Sequence, residues 1–317
     1  MTKNVLLTGG FGTLGGRLAQ LLAEDSQINL RLASRYKQSS PSWAPSAETF
    51  EVNFENSSSI NEMLTGITHV VHLVALNDSE SRADSHNAQR VNVEYTTRVV
   101  EACKPKTRFV YLSTIQVYGS SLVGLINENT APQATDPYAQ THLDAEKIVR
   151  SANRAGKIEG LSLRSANGFG APMTKDAKIW QIIANDLCRQ AVVSKKLTLK
   201  SHGMQYRNFL PFTDTCLAIK HGLFLPPESI GDGIFNLGSQ HTLKVLEMAE
   251  LIAERCAKVL GFKPKLEVLG AKPESEPSKF VYDSTKLQNT GLELNTQLEV
   301  EIDRLLRACK DWFGANQ

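Results

Sequence analysis

In the stretch DPYAQTHLDAE, residues 136–146, Tyr138 and His142 stand four residues apart in what reads as the opening turns of a helix. That spacing brings a phenol and an imidazole onto one helix face, where they can act as an acid/base pair. A free phenol titrates near about 10 and is a poor base at neutral pH without help, whereas an imidazole titrates near about 6.5. The remaining histidines form no ligand pattern. The five cysteines are odd in number and widely spread, which fits neither a disulfide framework nor a metal site.

A second group with chemical meaning is TGGFGTLGG, directly after the apolar run NVLL. Gly9, Gly12 and Gly15 recur every third residue, with Thr13 and Leu14 between them. Such a turn lets backbone N–H groups and a helix N-terminus meet a pyrophosphate, so it reads as a dinucleotide site. At the end of the second expected strand, LRLASRYK lacks the acid that would bond an adenosine ribose. Ser34 can donate a hydrogen bond there and Arg35 can pair with a phosphate, which points to NADP(H) in preference to NAD(H). Asn53, after the third strand, is placed to reach the adenine edge.

Short apolar runs alternating with helical patterns must position these groups. NVLLTG, INLRLAS, TFEVNF, HVVHLVA, RFVYLS and GLSLRSA read as strands, with helices between most of them. That rhythm predicts an α/β, doubly wound (Rossmann) parallel sheet over residues 1–168. GIFNLG, within 205–240, is expected to return to that sheet. Residues 169–204 and 241–317 are expected to form a smaller mixed α/β substrate-binding lobe, with helices in KIWQIIANDLCRQAVV and VLEMAELIAERCAKVL. The chain has 317 residues, 41% hydrophobic and 21% charged, with a formal net charge of +2. No basic stripe marks a nucleic-acid binder, no run approaches a membrane span, and the apolar N-terminal run is too short for a secretory leader. A cytoplasmic protein with reduced cysteines is expected.

Taken together these features resemble the extended short-chain dehydrogenase/reductase family, in its nucleotide-sugar epimerase, dehydratase and reductase branch. The TGxxGxxG turn appears as Thr8 to Gly15, and the HLA strand end as His72 to Ala75, which brings Leu73 and Ala75 to the cofactor. Asn92 in VNVEYTT resembles the asparagine that supports the central helix. LSTIQVYG supplies Thr114, with Ser113 beside it, at the place of the catalytic Ser/Thr. LRSANGFGAP resembles the Arg–Asn–Tyr–Gly–Pro segment through Arg164, Asn167, Gly170 and Pro172. RNFLPFTD supplies Arg207 and Asp214, and STKLQNTGLEL the C-terminal signature with Lys286. Tyr138 takes the place of the tyrosine in the family's Tyr-x-x-x-Lys pair, and His142 stands where the lysine belongs. The YDSTK at Tyr282 to Lys286 lies too far beyond the sheet to replace it.

The resemblance implies that Tyr138 exchanges a proton with a sugar oxygen, that Thr114 orients that oxygen, and that His142 and Asn92 support the tyrosine and the nicotinamide ribose. His142 can do this as a neutral hydrogen-bonding imidazole or as an imidazolium, or it can be a plain helix residue in a chain that binds cofactor without turnover. Asn167 and Arg207 are the implied grip on a nucleotide-diphosphate sugar, with Asn77 and Gln116 facing the sugar. Proton donation suits reduction, so the expected activity is NADPH-dependent reduction of a nucleotide-linked 4-keto sugar. The alternatives are a C4 epimerase and a non-catalytic dinucleotide-binding protein. A 4,6-dehydratase fits less well, because Ile115–Gln116 replaces the acidic pair expected after the Ser/Thr. Relatives of this kind also imply a homodimer, through helices at 88–103 and 138–155.

Overall fold

The computed structural model describes residues 2–271, 273 and 275–314. β1 (Lys3–Thr8) leads into α1 (Thr13–Ala23), β2 (Ile28–Ser34), β3 (Glu48–Glu51), α2 (Ser57–Met63) and β4 (His69–His72). α3 (Asp78–Ala83) and α4 (Ser85–Ala88) precede a π-helical turn (Gln89–Glu94) that runs into α5 (Tyr95–Ala102). Next come β5 (Thr107–Thr114), a 3-10 turn (Ile115–Tyr118), β6 (Gly124–Ile126), α6 (Pro137–Arg154) and β7 (Ile158–Ser165). β8 (Asn167–Phe169), α7 (Ile183–Ser194), β9 (Lys196–Leu199), β10 (Tyr206–Pro211) and α8 (Phe212–Phe224) follow. β11 (Ile234–Leu237), β12 (Thr242–Lys244), α9 (Val245–Val259), β13 (Lys265–Val268), β14 (Phe280–Tyr282), α10 (Thr285–Gln288) and α11 (Leu298–Phe313) complete the order.

Seven strands form one parallel sheet in the order β11-β7-β5-β4-β1-β2-β3. The near-continuous apolar runs are explained by helices on both faces: in β5, TRFVYLST, only Leu112 is not buried. The chain winds outward from β1 to β3, then crosses to β4 on the other side, so the strand order reverses between β1 and β4. A crevice opens at the carboxyl ends of strands at such a reversal. Thr8 and His72, which end these two strands, meet there with Thr8 Oγ1 2.9 Å from His72 Nδ1. A second apolar core joins α7, α9 and α11 through residues such as Leu187, Met248 and Leu305. It carries the smaller sheets β12-β10-β8 and β13-β9.

One expected helix is shorter than its pattern. KIWQIIANDLCRQAVV turns helical only at Ile183, because Ile182 is extended and the Trp180 indole N–H donates to the Lys175 carbonyl in a local turn. The buried Ile179 pins that turn inward, so an apolar pattern that suits a helix here serves an irregular segment.

The Gly-rich turn shows why glycine recurs. Gly9 has φ of 75°, in the left-handed region, and its carbonyl accepts from the Gly12 N–H at 2.9 Å. A Cβ on Gly15 would run into that same carbonyl oxygen. Gly15→Ala is therefore expected to force the turn open, costing about 1–3 kcal/mol. Thermal melts of the variant check the loss.

Candidate active site

A cavity of about 600 Å³ opens at the carboxyl ends of the strands. Thr13 and Leu14 at the start of α1, with Leu73 and Ala75 after β4, line one side. Thr114, Tyr138 and His142 line its middle. Asn77, Gln116, Asn167 and Arg207 line the far side, toward β8 and β10. A second cavity of about 590 Å³ adjoins it and shares Gln116, Asn167 and Arg207. Gly9, Gly12, Gly15, Ser34, Arg35, Asn53 and Asn92 lie outside the lining of the main cavity.

Tyr138 is the second residue of α6, after Pro137 and the Asp136 N-cap, whose carboxylate accepts from the Ala139 N–H at 3.0 Å. The proline presets the first helical turn and the aspartate satisfies an open N–H. Tyr138 is half-buried, and desolvation pushes its phenol up to about 12. The nearby Thr114 hydroxyl works in the opposite direction, while Asp78 and Asp136 add to the rise. In this environment the phenol keeps its proton at neutral pH.

His142 is 3% exposed, and burial lowers its pKa to about 4. Its Nδ1 lies 3.1 Å from the Tyr138 carbonyl oxygen, which can only accept, so Nδ1 carries the proton. The ring is therefore neutral, with Nε2 left as an acceptor. Its centroid is 4.3 Å from that of Tyr138. Of the three roles open to His142, the imidazolium is the one this burial disfavours.

The buried His72 is likewise held at about 4 by burial. Both rings are neutral when folded and titrate near 6.5 when unfolded. As pH falls below 6.5 the unfolded chain takes up protons that the folded chain refuses, so stability present above 6.5 is lost progressively down to about 4. Urea unfolding at pH 5 is expected to show a loss of roughly 2 kcal/mol per histidine relative to pH 7.5. His142→Gln should recover its share.

Asn92 acts one layer back. Its Oδ1 accepts from the Leu76 N–H at 2.7 Å and its Nδ2 donates to the Thr141 hydroxyl at 2.9 Å. The π-helical turn aims this side chain between β4 and α6, in keeping with the common placement of such bulges beside sites. Asn77 caps α3 through its bond from the Glu80 N–H at 2.9 Å. Asn167 Nδ2 donates to the Asn208 carbonyl at 3.2 Å. Arg207 is half-buried and donates to the Tyr206 carbonyl at 2.9 Å. Burial lowers its pKa, and among the described residues it has no carboxylate partner. A desolvated cation facing a cavity suits an anionic ligand.

The sequence puts Thr114 at the place of the catalytic Ser/Thr with Ser113 beside it, and the structure gives the two hydroxyls different partners. Ser113 is bonded to Glu146, whereas the Thr114 hydroxyl accepts from the Gln116 N–H at 3.2 Å and lines the cavity with Tyr138. Glu146 was not among the expected site residues, although its position one turn beyond His142, on the face of Tyr138, was visible in the sequence. The second Tyr-x-x-x-Lys is engaged elsewhere: Tyr282 donates to the Arg164 carbonyl at 2.7 Å, and Lys286 pairs with Asp232 at 2.6 Å.

The turn around Gly9 to Gly15 fits a dinucleotide pyrophosphate. α1 has no side-chain cap on its first N–H groups, and its first residues face the cavity. Among the described residues no helix is long and apolar enough to cross a membrane.

Residues 5–238 match the model of the NAD dependent epimerase/dehydratase family. D-erythronate dehydrogenase of Haemophilus influenzae is 29% identical over 169 residues, 50% of this chain and 53% of that protein. The uncharacterized UDP-glucose epimerase YtcB of Bacillus subtilis is 25% identical, over 89% of this chain and 90% of that one. Among solved structures, MoeE5 in complex with UDP-glucose and NAD shares the fold with a TM-score of 0.79 at 23% identity. That match covers 97% of this chain and 99% of MoeE5.

The expected preference for NADP(H) is corrected by these comparisons. The dinucleotide in MoeE5 is NAD, as it is in the UDP-glucuronic acid 4-epimerase of Bacillus cereus. The basic strand end that suggested a 2′-phosphate is otherwise accounted for. Arg35 is exposed, with its guanidinium 5.9 Å from the Tyr36 ring centroid, and Ser34 Oγ accepts from the Tyr36 N–H at 3.1 Å.

Proposed function

The chain belongs to the NAD dependent epimerase/dehydratase family, and on that premise we propose that it is an NAD-dependent C4 epimerase of a nucleotide-diphosphate sugar. The observation that carries this reading is the Thr114–Tyr138 pair in a cavity whose far side presents Asn167 and the unpaired Arg207. NAD, when bound, supplies a hydride acceptor and donor. Tyr138 exchanges the proton of the sugar hydroxyl, and Thr114 holds the oxygen in line with the phenol. His142 offers Nε2 as an acceptor toward a ribose hydroxyl and keeps the Tyr138 ring in place. Arg207 pairs with a diphosphate oxygen, and Asn77 and Gln116 bond sugar hydroxyls. The YtcB relative, named a UDP-glucose epimerase over nearly its whole length, supports this reading.

One-way reduction of a 4-keto sugar is the second reading, favoured by a Tyr138 phenol held near about 12 beside a neutral imidazole. The two separate cleanly. UDP-glucose and UDP-glucuronic acid are incubated with the protein and NAD, and the sugar anomers followed by proton NMR. Appearance of the 4-epimer without net NADH is expected. In a parallel incubation with NADH and a UDP-4-keto-6-deoxy sugar, stoichiometric NADH consumption, with no epimer formed in the first mixture, would replace epimerisation with reduction. Saturable NAD binding with neither reaction would leave a dinucleotide-binding protein. His142→Lys is expected to move the Tyr138 limb of the pH–rate profile down by about one unit or more, because a cation beside the phenol favours its ionised form.

A further inference from the structure

Directly behind Thr114 and Tyr138 lies a buried charged cluster. Glu146 is 2% exposed and Arg164 4%. Glu146 Oε1 accepts from the Ser113 hydroxyl at 2.5 Å, and the two Glu146 oxygens accept from Arg164 Nε and Nη2 at 2.7–3.1 Å. Arg164 Nη1 donates to the Tyr118 hydroxyl at 2.8 Å, and that hydroxyl donates to Asn236 at 2.7 Å. The cluster therefore joins the end of β5, the middle of α6, β7 and the 3-10 turn that follows Thr114.

A buried ion pair is weak evidence for stability, because desolvating both charges offsets most of their attraction; fixing one arrangement over its neighbours is its better-attested use. The arrangement at stake here is local. β5 carries Thr114, α6 carries Tyr138, and a slip or rotation of α6 against β5 changes the distance between their hydroxyls. Ser113 is bonded across that gap, next to Thr114, to a residue two turns beyond Tyr138 on the same helix face.

We propose that Ser113, Glu146 and Arg164 are positioning residues that set how the Thr114 and Tyr138 hydroxyls face each other, with Ser113 serving α6 rather than the substrate. Its effect on turnover rests on the epimerase reading above, while its geometric content is readable without substrate. The test labels tyrosine with ¹³C at Cζ and assigns the Tyr138 resonance by its loss in Tyr138→Phe. In Ser113→Ala that resonance moves toward its position in Thr114→Ala, and Ser113→Thr, which keeps the hydroxyl, returns it. Glu146→Gln moves it in the same direction. In turnover, Ser113→Ala lowers kcat about tenfold with KM unchanged, as expected for a displaced rather than a missing contact. A Tyr138 resonance unmoved in Ser113→Ala overturns the proposal, and so does a raised KM with kcat intact. A moved resonance in a protein that turns over no nucleotide sugar upholds the positioning role and removes the epimerase reading alone.

Discussion

Tyr138→Phe lowers kcat by about 100-fold or more while leaving NAD affinity and thermal stability close to the parent values. Positioned general acids and bases contribute on the order of 10²–10⁴ in rate, and on the proposed reading the phenol, which lines the cavity with Thr114, has that role. Phenylalanine keeps the ring that packs 4.3 Å from His142, so the packing of α6 survives the change. Only the hydroxyl is lost. Steady-state kinetics, NAD titration and a melt on one preparation check the result. A variant retaining a tenth or more of the rate would mean that the proton travels by another group.

Arg17→Met destabilises the fold by about 3–5 kcal/mol, the usual consequence of leaving one partner of a buried pair uncompensated. Arg17 Nη1 donates to Glu301 Oε1 and to the Ala171 carbonyl, both at 3.0 Å, and Nη2 donates to the Thr213 hydroxyl at 3.0 Å. Thr213 in turn donates to Glu301 Oε2 at 2.6 Å. Four segments meet at this guanidinium: α1 beside the Gly-rich turn, the loop after β8, α8, and the C-terminal helix α11. Glu301 is 1% exposed, so its carboxylate has no water to fall back on. Urea unfolding measures the loss. The double change Arg17→Met with Glu301→Leu is expected to recover most of it, because the charge and its partner leave together. On the proposed reading, in which the start of α1 meets NAD, the single variant should weaken NAD binding as well.

Much of the frame was legible along the chain because it depends on local rules. Strand runs buried on both faces, helices between them and a Gly-rich turn at the first junction specify a doubly wound parallel sheet. The face shared by Tyr138 and His142 follows from helical spacing alone. What spacing cannot carry is the state of those groups. The neutrality of His142 depends on α6 being packed against Tyr111, whose ring centroid lies 6.1 Å away, and on burial that only the assembled sheet provides. The same limit explains the misjudged cofactor: Arg35 is a basic residue at the right point of the sequence, but it lies exposed against Tyr36.

By itself the sequence determined the parallel sheet, the glycine turn against the first helix, and the shared helix face of Tyr138 and His142, since each follows from periodicity and backbone conformation. Tertiary structure alone decided that Ser113 is bonded to Glu146, and that Glu146 is paired with Arg164. It also decided that Gly170 must lack a side chain to make room for Glu301, the partner of Arg17. Those facts depend on close approach and desolvation between segments far apart in the chain, which no local pattern encodes.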